Sequence, residues 1–194
     1  MSETRQTIVN DVTRLNPVPV RGIVTPVSVE QVVEVVRNTT YPLSVGGGHF
    51  SMGGQTASPG SLHLDMRRLN KVVWFSPTAK RIRVQSGVRW CDIQKLVDPH
   101  GLAVRIMQTY ANFTVGGSLS VNVHGRYVGQ GPVILSVRSI KLVLASVQEW
   151  RGKGAEVSLV TLGKKASAFF KNVRIEIAAH AARRTSGPSR ALHI

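Results

Sequence analysis

Cysteine is almost missing from this chain: Cys91 stands alone among 194 residues. One thiol excludes an internal disulfide, which fits a reducing compartment. No run of eighteen apolar residues occurs, so no membrane-spanning helix is expected. The opening residues Met1-Ser2-Glu3-Thr4-Arg5-Gln6 lack the apolar stretch of a secretory signal. A cytoplasmic protein is the resulting expectation. Acidic residues are scarce too, 10 against 25 Lys and Arg, for a net charge of +15. That excess suits a polyanion such as nucleic acid. Its distribution argues otherwise. Residues 146–194 carry nine basic residues against three acidic, and residues 1–145 carry sixteen against seven, so the last quarter is disproportionately basic. Arg81, Arg83, Arg89, Arg105, Arg126 and Arg138 are scattered through the body without a nucleic-acid motif, and a moderately basic body equally suits an anionic cofactor. No metal site is expected: His49, His63, His100 and His124 lack short ligand spacing, and Cys91 has no partner thiol.

Apolar residues reach 42 %, enough for a folded core. The most informative stretch is Tyr41-Pro42-Leu43-Ser44-Val45-Gly46-Gly47-Gly48-His49-Phe50-Ser51-Met52-Gly53-Gly54, a short apolar run entering three consecutive glycines. Glycine reaches backbone angles closed to other residues and lets a ligand approach the main chain. Turns of this kind point several N–H groups at one anion. The stretch matches neither the dinucleotide fingerprint, which needs glycine where Ser51 stands, nor the triphosphate loop, which needs Gly-Lys-Ser/Thr where Gly53 is followed by Gly54 and Gln55. An anion cradle and a flexible surface loop both remain open at this point.

Around it the chain reads as alternating helices and strands. Residues 1–27 form short extended pieces punctuated by Pro17, Pro19 and Pro26. Ser28 and Gln31 mark a helix start, with Val29, Val32, Val33 and Val36 at helical spacing. Tyr41–Val45 reads as a buried strand, Leu62–Asp65 as another, and Met66–Asn70 as a helical turn. Val72–Phe75 and Arg81–Gln85 predict a hairpin across Pro77–Lys80. Trp90, Ile93, Leu96 and Val97 predict a short amphipathic helix closed at His100-Gly101. Trp74 and Trp90 are expected to pack internally. A second glycine stretch, Gln108 through Arg126, places Thr114-Val115-Gly116-Gly117-Ser118 at the start of a small-residue helix. Free N–H groups there favour an anion; the alternative is that Gly116 and Gly117 serve only close packing. Residues 136–145 read as a strand.

Taken in order, several short patterns carry a resemblance. They are Pro26-x-Ser28-x-Glu30-x-Val32, Val45-Gly46-Gly47-Gly48-His49, Leu64-Asp65-Met66 with Leu69-Asn70, Val84-x-Ser86-Gly87-Val88, His100-Gly101-Leu102, and Thr114-Val115-Gly116-Gly117 with His124-Gly125. This set resembles the FAD-binding domain of the p-cresol methylhydroxylase and vanillyl-alcohol oxidase type flavoprotein oxidoreductases, which include sugar-lactone oxidases and glycolate-oxidase-like dehydrogenases. The resemblance implies an α+β FAD-binding domain over residues 10–145, with subdomains of about 10–75 and 76–145 and FAD between them. It implies cofactor contacts at Val45, Gly46, Gly47, Gly48, His49, Phe50 and Ser51 on one side. On the other it implies Thr109, Thr114, Gly116, Gly117, Ser118, His124 and Gly125. A small-molecule substrate is implied as partner, a sugar lactone, polyol or hydroxy acid oxidised by hydride transfer to flavin; no catalytic residue is assigned. In some relatives a histidine after such glycines is bonded to the flavin, since imidazole is a competent nucleophile. Phe50, where serine is common, weighs against that bond at His49.

The resemblance stops after Ala145. Residues 146–194 read as a basic tail foreign to the family, through a truncation or a reading-frame change, with the C-terminal substrate domain absent. Within it Val157–Leu162 suggests a strand and Ala166–Ala182 partly helical structure. A polyanion-binding protein and an inactive remnant without cofactor are the competing readings.

Overall fold

The computed structural model describes residues 7–125, 128–143, 149–151, 169–174 and 180–181. Its architecture mixes α and β elements around two sheets. The first sheet is parallel and has three strands, β3 (Gly22–Val24), β4 (Leu43–Gly46) and β5 (Leu62–Asp65), in the order β3-β5-β4. Parallel neighbours require crossovers. Helix α1 (Val29–Asn38) makes one, between β3 and β4; the glycine-rich stretch and residues up to 61 make the other, between β4 and β5. A hairpin of β1 (Thr7–Val9) and β2 (Val18–Val20) precedes them.

Local chemistry explains α1. The Ser28 hydroxyl accepts from Gln31 N–H at 3.3 Å, and Gln31 Oε1 accepts from Val27 N–H at 2.8 Å, so two orphan donors at the start are satisfied. Val32 and Val36 form its buried face and pack with Leu64, Met66 and Leu69. Five valines give little intrinsic helix preference, so this packing holds the helix.

The second sheet is antiparallel. It comprises β6 (Val72–Ser76), β7 (Arg81–Val84), β9 (Ser139–Val143), β10 (Glu149–Arg151) and β11 (Phe169–Arg174), ordered β10-β9-β11-β7-β6. The expected hairpin is present as β6 and β7, with a register shift between Val72 and Trp74. Helix α2 (Trp90–Val97) lays Trp90, Ile93 and Val97 against Ile82, Val84 and Ile140. Gly101, at φ 66°, ends the turn behind it in the left-handed conformation. Helix α3 (Val115–Ser120) adds Val115 and Leu119 to the same core, and β8 (Leu102–Ala103) pairs with β12 (His180–Ala181).

The two sheets meet at a tight seam. Gly87 N–H donates to Leu69 O at 2.8 Å, and a methyl group at Gly87 would overlap the Met66 carbonyl. Only glycine fits there. Beside it Gln85 and Lys71 exchange two hydrogen bonds, Gln85 N–H to Lys71 O at 3.0 Å and Lys71 N–H to Gln85 Oε1 at 2.8 Å.

Three expectations need correction or limits. Trp74 is 44 % exposed because β6 is an edge strand with one face unpacked, whereas Trp90 is fully buried. Residues 169–174 form a strand between β7 and β9, where partly helical structure was expected over 166–182; pairing with distant strands overrides the local pattern. The strand expected at 157–162 lies outside the described residues. Among the described residues, no helix is long and apolar enough to cross a membrane, and no group of three or more His, Cys, Asp or Glu is placed to hold a metal.

Candidate functional site

The glycine stretch leaves the carboxyl end of β4, an edge strand, which is where ligands settle on open parallel sheets. Across from it runs the segment from Gln108 to Ser118. Two adjoining clefts lie between them. The first, of about 150 Å³, has Gly48, His49 and Phe50 on one side and Gln108, Phe113 and Ser118 on the other. The second, of about 250 Å³, is reached past Val45, Met66, Ser86 and Ser120. Gly47, Ser51, Thr56, Thr114, Gly117 and Val121 line both, so the two form one groove suited to an elongated ligand.

The two walls differ in their hydrogen bonding. Among the described residues, the N–H groups of Gly47, Gly48, His49, Phe50 and Ser51 donate to no protein acceptor. Five successive unclaimed donors are what a main-chain anion cradle requires. The glycines are required by space: a methyl group at Gly47 would overlap the Thr114 hydroxyl, and at Gly48 it would lie 2.7 Å from the Phe50 ring. His49 itself holds a φ of 59°, a conformation few residues with side chains adopt.

On the α3 side every amide is taken. Val115 N–H donates to Val88 O and Gly116 N–H to Ser86 O, each at 2.8 Å. Gly117 N–H donates to Thr114 Oγ1 at 3.3 Å, and Ser118 N–H to Thr114 O at 2.9 Å. The expected free N–H groups at this helix start are therefore absent, because the segment 86–88 claims them. A methyl group at Gly116 would sit 2.8 Å from Ser86 Cβ, so this glycine serves close packing. Ser118 is occupied as well: its hydroxyl accepts from Trp90 Nε1 at 2.8 Å and donates to Gln108 Oε1 at 2.6 Å. Gln108 thus lines the first cleft with its oxygen already used.

Behind the cradle lies a buried polar chain. Ser61 donates its hydroxyl to Ser58 O at 2.7 Å, a carbonyl that can only accept. Ser61 Oγ must then accept from Ser44 Oγ, 2.7 Å away, and Ser44 Oγ must accept from His63 Nδ1, 2.8 Å away. This order assigns the proton of neutral His63 to Nδ1 and leaves Nε2 as a bare acceptor, buried and without a partner. Burial, the neighbouring His49 and Arg67 together push His63 down to about 4, against the opposing pull of Asp65. His49 is also lowered, by burial and then by Arg67, with Asp65 and Asp11 opposing; its Nδ1 is buried and unpartnered, and its ring lies 5.6 Å from that of His63. Burial alone would raise Asp65, but the bidentate bond from Arg67, 2.6 Å at its shortest, outweighs it and lowers the carboxyl.

The groove therefore unites Val45, Gly46, Gly47, Gly48, His49, Phe50 and Ser51 with Thr114, Gly116, Gly117 and Ser118. Thr109 is exposed and lines neither cleft; its neighbour Gln108 does. His124 and Gly125 line neither cleft, and His124 Nδ1 lies 3.4 Å from Gly125 O. Sequence reasoning missed Gln108, Ser86 and the partners of His63. Ser86 Oγ is buried without a partner in the wall of the second cleft. Phe50, Tyr110 and Phe113 form a mutual edge-to-face cluster, with centroids 4.8 to 5.4 Å apart, at one end of the first cleft. An amide-rich loop and an aromatic wall together fit a ligand with a pyrophosphate and a flat ring.

Comparison with known proteins points the same way. Residues 20–149 match the family described as FAD binding domain. Alditol oxidase of Streptomyces sp. (strain IKD472 / FERM P-14339) is 31 % identical over 147 residues, which cover 71 % of this chain and 35 % of that protein. Cytokinin dehydrogenase 7 of Oryza sativa subsp. japonica is 26 % identical over 155 residues, 73 % of this chain and 30 % of that protein. Decaprenylphosphoryl-beta-D-ribose oxidase of Mycolicibacterium smegmatis is 30 % identical over 97 residues, 50 % of this chain and 21 % of that protein. The chain spans no more than about a third of the length of these relatives.

Proposed function

From the premise that this chain belongs to the FAD-binding domain family, we propose that it forms the cofactor half of a flavoprotein oxidoreductase acting on a hydroxyl-bearing carbon. The observation that carries the reading is the row of five unclaimed amides from Gly47 to Ser51, residues that line one groove together with Thr114. When bound, FAD supplies the two-electron acceptor for a hydride from substrate.

The protein's own part is binding and orientation. The cradle takes the pyrophosphate oxygens through main-chain donors. Gln108 offers its amide group from the opposite wall, and Phe50 and Phe113 give an aromatic surface that excludes water from a flat ring. Neutral His63 keeps positive charge out of the space behind the loop. A division into subdomains of about residues 10–75 and 76–145, each carrying one wall of the groove, accompanies this reading. The likeness to alditol oxidase supports a polyol, and more broadly a sugar lactone or hydroxy acid, as substrate. His49 is a non-covalent contact in this reading, since Phe50 takes the place of the usual serine.

The test is the visible spectrum of the chain after incubation with FAD and removal of unbound flavin by gel filtration, before and after acid precipitation. Flavin bands that co-elute with the folded protein and leave with the acid supernatant are the expected outcome. Bands retained in the precipitate would instead place a covalent bond on the chain, and a protein that elutes colourless after incubation with millimolar FAD would sink the proposal.

A further inference from the structure

The cradle is held from behind by a turn that lies outside the family match. Asp11 sits in the connection between β1 and β2, ahead of residue 20, and is only 5 % exposed. Its Oδ1 accepts from Thr13 N–H at 2.8 Å and from the Thr13 hydroxyl at 2.5 Å. Its Oδ2 reaches the far end of the glycine stretch, accepting from Gly54 N–H at 3.3 Å and from Asn16 Nδ2 at 2.8 Å. Asn16 Nδ2 also donates to Met52 O at 3.0 Å, and Val12 N–H donates to His49 O at 3.0 Å. The turn thus grips residues 49, 52 and 54. His49 sits among them in a left-handed conformation that needs outside support, and a methyl group at Gly54 would lie 3.1 Å from Asn16 Cβ, so the two segments are closely fitted.

We infer that Asp11 is a positioning residue for the anion cradle, acting through Asn16 and Gly54 to hold the amides of Gly47 to Ser51 in register for a pyrophosphate. The inference rests on the cofactor reading above. The carboxylate has two oxygens with separate tasks: Oδ1 closes its own turn on Thr13, and Oδ2 fastens the glycine stretch. Bonds to a carboxylate are the stronger kind, so losing the second task loosens a loop in which the amides from Gly47 to Ser51 make no bonds among the described residues.

The experiment compares the full 194-residue chain with Asp11→Ala, Asn16→Ala and Thr13→Ala. Three properties are read: FAD dissociation constant by flavin fluorescence quenching, urea midpoint, and amide exchange at Val12 and Gly54. Asp11→Ala is expected to weaken FAD about tenfold, Asn16→Ala several-fold (roughly threefold), and Thr13→Ala little, although its hydroxyl bond to Asp11 is lost. A structural role alone would lower the urea midpoint and leave the dissociation constant of the folded variants unchanged; that result overturns the inference. Should Asp11→Ala fail to fold, Asn16→Ala decides in its place. If the wild-type chain binds no FAD, the cofactor reading fails. The positioning role is then judged by exchange at Val12 in Asn16→Ala, since the Val12 N–H donates to His49 O and not to the Asn16 side chain: faster exchange upholds it, and unchanged exchange overturns it.

Discussion

The two walls of the groove carry the same sequence signature and use it in opposite ways. Gly46-Gly47-Gly48 and Gly116-Gly117 both stand among small polar residues, and both suggest an anion site. At the first, the chain leaves an edge strand and its amides stay unclaimed. At the second, Ser86 O, Val88 O and the two oxygens of Thr114 take every donor from Val115 to Ser118. Glycine at the first wall opens space for a ligand against the main chain; at the second it removes space so that α3 can touch the segment 86–88. A glycine pair therefore says that something comes close, and only the hydrogen-bond ledger says whether it is a ligand or the protein itself.

Substitutions separate the two uses. Gly47→Ala should have the largest effect on ligand, weakening FAD about 100-fold in the folded fraction by pressing the loop off Thr114. Fluorescence titration checks it, and wild-type affinity in that variant would break the comparison. The second test sharpens it from behind the first wall. His63, lowered to about 4 from an ordinary 6.5, is neutral when folded and takes its proton more readily when unfolded. Stability is then unaffected by this group above about pH 7, falls as pH drops from about 6.5 to 4, and changes no further below that. The loss should reach about 3 kcal/mol, and His63→Asn, which can still donate to Ser44, should flatten that limb of the urea-stability profile. The smallest effect on ligand belongs to Gly116→Ala. It should lower stability by about 1–2 kcal/mol through contact with Ser86, while the folded fraction binds FAD with affinity close to wild type. Denaturation and titration of one preparation test both halves of that statement.

Much of this was readable along the chain wherever the cause is local. Ser28 and Gln31 announce α1, the valine spacing gives its buried face, Pro77–Lys80 marks the β6–β7 turn, and the three glycines mark the cradle. What escaped depends on distant partners. Ser44 and His63 are nineteen residues apart and meet because β4 and β5 pair in the register that sets them side by side. Nothing near Gly116 foretells that Ser86 O will take its amide. Nothing near Trp74 shows that β6 will be an edge, and the pairing of β11 between β7 and β9 spans most of the chain. Asp11 escaped for a related reason: its oxygens act on a segment forty-three residues away, at Gly54.

The position of β4 has a consequence of its own. It is the outer strand of its sheet, and the unclaimed amides continue directly from its end. An unprotected strand edge is a template for another chain, and natural proteins blunt such edges with charge, bulges or a cover. In the cofactor reading proposed above, the cover is the ligand. A dinucleotide along residues 47–51 would occupy the donors that a second copy would otherwise seek, so the cofactor would also act as a chaperone of the edge, and FAD supplied during synthesis should raise the yield of monodisperse protein.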